Sequence, residues 1–333
     1  MGDANTFMTM AGHNEGLIKD FCWNKAKEHI EKSGNSACPV NRAILFYGGA
    51  APEVNYDRYY QNLKDMIKSL EGKVKPENII VMHADGLHPE ADRNLATDQA
   101  PPQLENSDLE FLKQKGIAVL PATGECLQNV FSTVGGVVKP NDHTLIYTFD
   151  HGNRTSAGET VVGWNGEEIS DKEFANMAAS ISGYRTFVFS ECYSGGMAED
   201  IDCSDGKTCA IAATRANEVS YGDGYAKGVS CVIGDGNIST HQLCLKAENL
   251  DPYADPTGIL SQGKIAVEHP QIFGADFPVF ASIPEDASNQ VPMSQQTENS
   301  YNNSDMLEDD DILEDDDMLE DDDMSTESDF FEI

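Results

Sequence analysis

Short apolar runs alternate along this chain with segments in which apolar residues recur at helical spacing. The strand-like runs lie at 43–47, 78–82, 145–149, 187–189 and 209–213. The helical patterns cover 56–70, 105–115, 123–134 and 171–181. Near-continuous apolar strands separated by helices are typical of a mainly parallel sheet with helices on both faces. The pattern therefore predicts an α/β fold whose functional loops meet at the carboxyl ends of the strands.

The two ends of the chain differ from this alternating region. Apolar residues at helical spacing predict an amphipathic helix over 15–33, with Gly34 as its stop signal, and we assign 1–40 to an N-terminal helical extension. The alternating pattern defines one domain over 41–284. Residues 285–333 are rich in Ser, Asn, Gln and acid and contain the hexads MLEDDD, ILEDDD and MLEDDD between 306 and 323. Because such a segment has little apolar surface to bury, we expect a disordered acidic tail.

The charge of the chain is strongly negative throughout. Its 333 residues include 22 basic and 57 acidic side chains, for a formal charge of −35. The tail from residue 305 onward holds 16 of the acids and no base, so the first 304 residues still carry −19. This balance excludes nucleic-acid binding by phosphate neutralisation.

Targeting and cysteine patterns give further expectations. The chain has no run of about 18 apolar residues, and its first residues lack the basic-then-apolar order of a secretory signal, so we expect a cytoplasmic protein. The start matches a myristoylation pattern through Gly2 and Thr6, but Asp3 and the negative charge argue against a stable membrane anchor. The 8 cysteines show no Cys-x-x-Cys spacing, so we expect reduced thiols and no metal site.

Two strand ends carry residues with catalytic chemistry. Asp150-His151-Gly152 follows the run at 145–149, and Glu191-Cys192 follows the run at 187–189. An imidazole and a thiol at the carboxyl ends of neighbouring parallel strands face one crevice, which suits a Cys–His nucleophilic mechanism. Gly152 allows a sharp turn with its N–H directed at a developing oxyanion, and Gly195-Gly196 allows substrate to approach closely. We expect Asp150 to be a turn residue rather than the group that orients the imidazole.

Phe149-Asp150-His151-Gly152 and Glu191-Cys192-Tyr193-Ser194-Gly195-Gly196-Met197 resemble the motif pair of the legumain-like cysteine peptidases of the caspase–haemoglobinase fold. The resemblance extends from about Arg42 to Asn237. It implies a caspase-like three-layer sandwich in which Cys192 is the nucleophile and His151 protonates the leaving amine. It also implies an oxyanion hole formed by the N–H groups of Gly152 and Cys192.

The resemblance further suggests a third catalytic residue. Asn55-Tyr56-Asp57-Arg58 is similar to the family stretch whose Asn orients the catalytic imidazole, so Asn55 is the candidate for that role. The alternative is that Asn55 is simply a turn residue before the helix that begins near Tyr56.

The candidate substrate-binding residues are Asp57, Tyr193, Ser220 and Asp235. Asp57 stands where legumains have an Arg, Tyr193 follows the nucleophile where they have an acid, and Gly234-Asp235 is similar to a pocket segment. Ser220 belongs to 216–221, which resembles the segment that pairs with substrate backbone, although a plain polar loop is the alternative. Two carboxylates without a matched base would favour a cationic P1 side chain.

The expected function is therefore that of a cysteine endopeptidase that forms a thioester and cleaves protein or peptide substrates after Arg or Lys, without a cofactor. One alternative is an Asn- or Asp-specific legumain-type peptidase, or a transamidase or ligase, because these reactions share the thioester. Another is a catalytically silent caspase-like scaffold whose acidic tail binds a protein partner. The apolar-acidic repeats resemble short motifs that add a strand to a partner's sheet.

Overall fold

The computed structural model describes residues 38–95, 103–254 and 267–282, together with Asn24, Lys27, Glu28, Ile30 and Glu31. The five isolated residues are helical, and Ile30 is buried in the core. Most of the helix predicted at 15–33 lies outside the described residues, as does the predicted tail at 285–333 with its three repeats. The proposed domain boundaries at 40 and 284 therefore stay predictions.

A seven-stranded sheet forms the centre of the described part of the chain, with the strand order β12-β11-β10-β6-β1-β2-β5. Its strands are β1 (Asn41–Tyr47), β2 (Ile79–His83), β5 (Ala118–Leu120), β6 (His143–Thr148), β10 (Tyr184–Phe189), β11 (Thr208–Ala212) and β12 (Gln271–Gly274). All neighbours pair in parallel except β11 and β12, which are antiparallel. The predicted α/β fold with a mainly parallel sheet is thus confirmed.

Helices connect these strands and cover them. The α-helices are α1 (Asp57–Leu70), α2 (Glu110–Gln114), α3 (Gly124–Gly135), α4 (Asp171–Ala178), α5 (Ser194–Glu199), α6 (Gly224–Gly234) and α7 (Thr240–Leu250). Two 3₁₀ turns lie at Pro76–Asn78 and Trp164–Gly166. Among these described helices, none is long and apolar enough to cross a membrane.

The side chains of β1 show how the sheet separates two cores. Leu45 and Tyr47 point into a cluster that includes the buried faces of α1, α6 and α7. Ile44 and Phe46 point into the opposite cluster, which includes α3, α4 and α5. Successive strand residues alternate between the two faces of a sheet, so an unbroken apolar run serves both cores.

Two small sheets project from the loops. β3 (Arg93–Asn94) pairs with β4 (Leu104–Glu105), and β7 (Gly152–Thr155), β8 (Gly158–Val162) and β9 (Glu168–Ser170) form an antiparallel unit between β6 and α4. Trp164 lies between β8 and β9 in this unit. It is buried and its backbone N–H donates to the Ala122 carbonyl 2.8 Å away, so it is a packing residue.

Several elements differ from the sequence pattern for identifiable reasons. The helix predicted at 105–115 is shortened to α2, because Leu104–Glu105 pairs with β3 instead. β12 was not predicted, since this edge strand is only half-buried and lacks a continuous apolar run. His83, at the end of β2, and His143, at the start of β6, are both buried.

Among the described residues, Cys192, Cys203, Cys209, Cys231 and Cys244 form no disulfide bond. Within residues 38–95, 103–254 and 267–282, no group of three or more His, Cys, Asp or Glu side chains is arranged to hold a metal ion.

The aromatic cluster beneath the β7–β9 unit gives a test of the fold. Phe174 is fully buried and its ring centroid lies 5.4 Å from that of Phe131 and 5.3 Å from that of Phe189. We expect Phe174→Ala to lower the free energy of unfolding by about 3–5 kcal/mol, because it leaves a cavity among these rings. Urea denaturation measures the change. The control Leu245→Ala, at a residue 59% exposed, should change it by less than about 0.5 kcal/mol, and equal effects would contradict the packing.

Candidate active site

The register between β6 and β10 places His151 and Cys192 at the ends of neighbouring strands. Thr148 is paired with Phe189 across the two parallel strands. His151 and Cys192 each lie three residues beyond this pair, at the same edge of the sheet. Neighbouring strands are about 4.8 Å apart, so the two loops leave the sheet side by side. The structure thus brings together the two residues that the sequence predicted as the catalytic pair.

Gly152 permits the close approach of these loops. A Cβ built on Gly152 would collide with the carbonyl oxygen of Cys192. The backbones of Gly152 and Cys192 are therefore adjacent, as two oxyanion-hole donors would have to be. Their assignment as oxyanion donors stays a prediction.

The orientation of His151 is set by a backbone carbonyl. Its Nε2 lies 2.9 Å from the Val54 oxygen, and because a carbonyl only accepts, Nε2 carries the proton in this geometry. Nδ1 is then the nitrogen with a free lone pair. The Tyr59 ring packs edge-on against the imidazole at a centroid distance of 5.4 Å and restricts its rotation.

Asn55 does not contact the imidazole, although the sequence predicted that it would orient His151. Its Nδ2 donates to the Asp92 carbonyl oxygen at 2.5 Å, and its buried Oδ1 has no hydrogen-bond partner. The Asn55 side chain also packs against Gly49, where a Cβ would collide with it. The preceding residue, Val54, supplies the contact to the imidazole with its backbone, a role that no side-chain pattern reveals.

Asp150 is a turn residue, as expected. Its carboxylate accepts hydrogen bonds from the backbone N–H groups of Gly49, at 2.5 Å, and His151, at 2.8 Å. It also approaches the imidazole more closely than the sequence suggested, since Oδ1 lies 3.7 Å from His151 Nε2. Burial raises the pKa of Asp150 to about 6, and the imidazole and the two N–H donors oppose that rise.

Cys192 is 9% exposed and contacts Ser220. The Ser220 N–H donates to Sγ at 3.3 Å, which places this predicted substrate-binding residue beside the thiol. Burial raises the pKa of the Cys192 thiol, and the Ser220 hydrogen bond opposes the rise. The neighbouring carboxyls of Glu191 and Glu268 add to it. The resting thiol is therefore protonated at neutral pH.

Glu191 is a further buried acid at this site that sequence reasoning left without a role. It is fully buried, and burial raises its pKa to about 8. Its Oε2 accepts a hydrogen bond from the Thr148 hydroxyl at 2.7 Å.

The segment after the nucleophile turns sharply. Tyr193 has a left-handed backbone with φ 60° and ψ 18°, and its N–H donates to the Glu218 carbonyl at 2.8 Å. Gly195 lies against the backbone of residues 215–216, and Gly196 lies against the Glu159 side chain. A Cβ at Gly195 would collide with backbone atoms, so this glycine is required for packing within the chain. The predicted close approach of substrate to Gly195-Gly196 stays a prediction. The substrate contact predicted for Tyr193 stays a prediction.

Asp57 lies at the start of α1, but it has a basic partner. Its Oδ1 accepts a hydrogen bond from Arg93 Nη1 at 2.9 Å, and Arg93 also approaches Glu105 at 3.4 Å. The expectation that Asp57 lacks a matched base was therefore wrong. Arg93 is distant in sequence, and it lies near Asp57 because the next residue, Asn94, bridges to Tyr56 and donates its N–H to the Asn55 carbonyl at 2.8 Å.

Asp235 lies at the opposite edge of the sheet, so its predicted place in the substrate pocket was wrong. It follows the last residue of α6, and the preceding Gly234 carbonyl accepts from Lys73 Nζ at 3.0 Å. The Lys73 carbonyl in turn accepts from Asn41, the first residue of β1, at 3.0 Å. A seven-residue strand spans about 20 Å, and the thiol lies beyond the other end of the sheet.

Arg58 is the basic side chain that the structure does place near the thiol. Its guanidinium stacks on the Tyr56 ring, 4.4 Å from the centroid, and Nη2 donates to the Tyr59 hydroxyl at 3.0 Å. Its positive charge acts on both Asp150 and Cys192. Arg58 belongs to the stretch 55–58 that resembles the family motif. The first turn of α1 directs Arg58, rather than Asp57, toward the site, and the sequence alone did not show this.

A thiol and an imidazole at the ends of adjacent parallel strands, within helix-covered layers, define a cysteine-peptidase class of site. Residues 43–245 match the model of the Peptidase C13 family. The chain belongs to this family, which is the legumain family of cysteine-type peptidases. No curated protein matches the chain at a significant level.

The environment of Cys192 predicts how its reactivity depends on pH. Because burial raises the pKa of the thiol above its ordinary value, we expect alkylation of Cys192 by iodoacetamide to accelerate continuously from about pH 6 to about pH 9. Peptide mass spectrometry of Cys192 measures the rate, with the exposed Cys231 as an internal reference. A rate that is already constant below about pH 7 would contradict this, since it would require a thiolate in the resting enzyme.

Proposed function

We propose that this chain is an endopeptidase in which Cys192 is the nucleophile and His151 the proton carrier. The single observation that supports this most is the matched position of the two residues beyond the Thr148–Phe189 pair. The contact between His151 Nε2 and the Val54 carbonyl adds to it, because it leaves Nδ1 able to accept a proton.

The reaction follows from these positions. The Cys192 proton passes to His151 as Sγ attacks the carbonyl carbon of the scissile peptide bond, and the carbonyl oxygen becomes an oxyanion near the N–H groups of Gly152 and Cys192. The carbon–nitrogen bond then breaks, and the amine leaves with the proton from His151. Water attacks the remaining thioester, gives its proton to His151, and releases the acid and the free thiol.

We further propose that the bond cleaved follows Arg or Lys. The original reason for this, a pocket formed by Asp57 and Asp235, does not hold, because one pairs with Arg93 and the other lies at the far edge. The support now comes from buried carboxyl groups next to Ser220, of which Glu268 contacts the Ser220 hydroxyl at 3.2 Å.

Arg58 favours a second candidate, cleavage after Asn or Asp. A guanidinium near the thiol suits a P1 amide oxygen or carboxylate, since Arg presents several donors to such groups. Transfer of the acyl group to an amine instead of water would use the same thioester, so transamidation or ligation belongs to the same proposal.

The silent scaffold remains the alternative from another class. The retained pair of Cys192 and His151, together with the close packing of Gly152 on Cys192, supports the enzyme, because a scaffold has no need for all three. A protein partner for the acidic tail and a cytoplasmic location are proposals from the sequence alone.

Covalent labelling tests the proposed nucleophile. We expect acyloxymethyl-ketone probes with P1 Lys or Asn to label the protein, and expect Cys192→Ala to abolish labelling. His151→Ala should slow it by at least about 100-fold, because the proton acceptor is lost. Intact-protein mass spectrometry measures the adduct.

The matched control for labelling is Cys231→Ala, which removes an exposed thiol on α6 away from the strand ends and should change nothing. Labelling that persists in Cys192→Ala, or that is absent from the wild-type protein with every probe, would contradict the proposal and favour the scaffold.

A further inference from the structure

A pair of buried carboxyl groups lies behind the segment that contacts the thiol. Glu268 is 2% exposed, and its Oε1 accepts hydrogen bonds from the Ser220 hydroxyl and the Tyr221 backbone N–H. Because the Ser220 N–H also contacts Cys192 Sγ, only one residue separates the Glu268 carboxyl group from the nucleophile. Asp251, at the end of α7, is 5% exposed and its Oδ1 accepts from the Tyr253 N–H at 3.1 Å.

The second oxygen of each carboxyl group is unpartnered. Glu268 Oε2 and Asp251 Oδ2 are both buried without a hydrogen-bond donor. The two side chains interact with each other, and burial raises the pKa of Glu268 to about 8 and that of Asp251 above its ordinary range. Two acceptors in contact require either a shared proton or a cation, because two buried anions would otherwise repel one another.

Three basic side chains of the described segments nearby have other partners. Lys227, on α6, pairs with Asp223 at 2.9 Å, and Arg215 approaches Glu218 at 3.4 Å. Arg58 stacks on Tyr56. Within the residues that the structure describes, none of these three contacts places a cation on Glu268 or Asp251, and a cationic group of a ligand would suit that place.

We propose that Glu268, supported by Asp251, binds the cationic end of the P1 side chain and thereby selects substrates with Lys or Arg at that position. The inference rests on the proposed peptidase function. The ammonium or guanidinium group would take the place of the shared proton between Oε2 and Oδ2, with that proton released to solvent. The apolar stem of the P1 residue would pass beside Ser220, whose backbone already contacts the thiol.

The neighbouring aromatic rings are compatible with this path. The centroids of the Tyr221 and Tyr253 rings lie 5.8 Å apart, and the ring planes make an angle of 37°. The backbone of each of these tyrosines forms a hydrogen bond with Glu268. Tyr221 donates its N–H to Glu268 Oε1, and the Tyr253 carbonyl accepts the Glu268 N–H at 2.9 Å. Aromatic faces favour the passage of a cationic side chain.

The decisive variant is Glu268→Gln, which keeps the size of the side chain and an oxygen for Ser220 and Tyr221 but removes the charge. With fluorogenic peptides that differ only at P1, we expect kcat/KM for Arg and Lys to fall by about 10- to 100-fold and that for Asn to fall by less than about 3-fold. Asp251→Asn should change the Arg-to-Asn ratio in the same direction. Asp235→Asn removes a carboxylate at the opposite edge of the sheet and should leave both rates unchanged.

Labelling of each variant with a P1-Asn probe shows whether the thiol site is intact. An unchanged Arg-to-Asn ratio in Glu268→Gln would overturn the inference, as would a wild-type enzyme that cleaves only after Asn or Asp. If Glu268→Gln fails to fold, the ratio in Asp251→Asn decides. A wild-type protein that neither cleaves a peptide nor accepts a probe would instead contradict the proposed peptidase function, so the two failures are distinguishable.

Discussion

Parallel pairing of β6 with β10 is the constraint on which the site depends. The two strands are neighbours at the centre of the seven-stranded sheet, and their register fixes Thr148 opposite Phe189. A shift of one residue would move either His151 or Cys192 by about 3.3 Å and reverse the faces of every core side chain on that strand. The hydrophobic cores on both faces therefore hold the catalytic geometry as well as the fold.

Much of the fold, and the position of His151 and Cys192 at one edge of the sheet, could be predicted from the sequence because both depend on local patterns. The apolar runs before His151 and Cys192 identify strands, and the residues directly after a parallel strand lie at the functional edge. What sequence reasoning missed depends on contacts between distant segments. Val54 acts through its carbonyl, Asp57 is paired with Arg93 across 36 residues, and Glu268 reaches Ser220 from 48 residues away.

The misplacement of Asp235 has a similar cause. A Gly-Asp dipeptide looks the same at either end of a helix, but α6 crosses the sheet, so its last residue lies at the wrong edge for substrate. Only the direction of the helix relative to the strands shows whether such a dipeptide lies at the functional edge of the sheet or at the opposite edge. The short motif at 191–197 therefore placed Cys192 correctly at the end of a strand, whereas the dipeptide at 234–235 did not lead to the predicted pocket position.

Several acidic side chains of this chain are buried around the candidate active site. Asp150, Glu191 and Glu268 are all buried there with raised pKa values, and each is held by backbone N–H or hydroxyl donors rather than by a basic side chain alone. Buried acids with shifted pKa values are concentrated at functional sites, because stability alone favours apolar residues at such positions. The proposed selection for a cationic P1 side chain rests on one of these acids, Glu268.

The covalent intermediate gives the sharpest test of the site as a whole. The protein is mixed with an excess of a peptide ester, quenched in acid within the first turnovers, and digested for tandem mass spectrometry. We expect the acyl part of the substrate as a thioester on Cys192, and expect hydroxylamine to remove it. Peptide cleavage without this adduct, or an acyl group on another described cysteine such as Cys231, would contradict the assignment of Cys192 as the nucleophile.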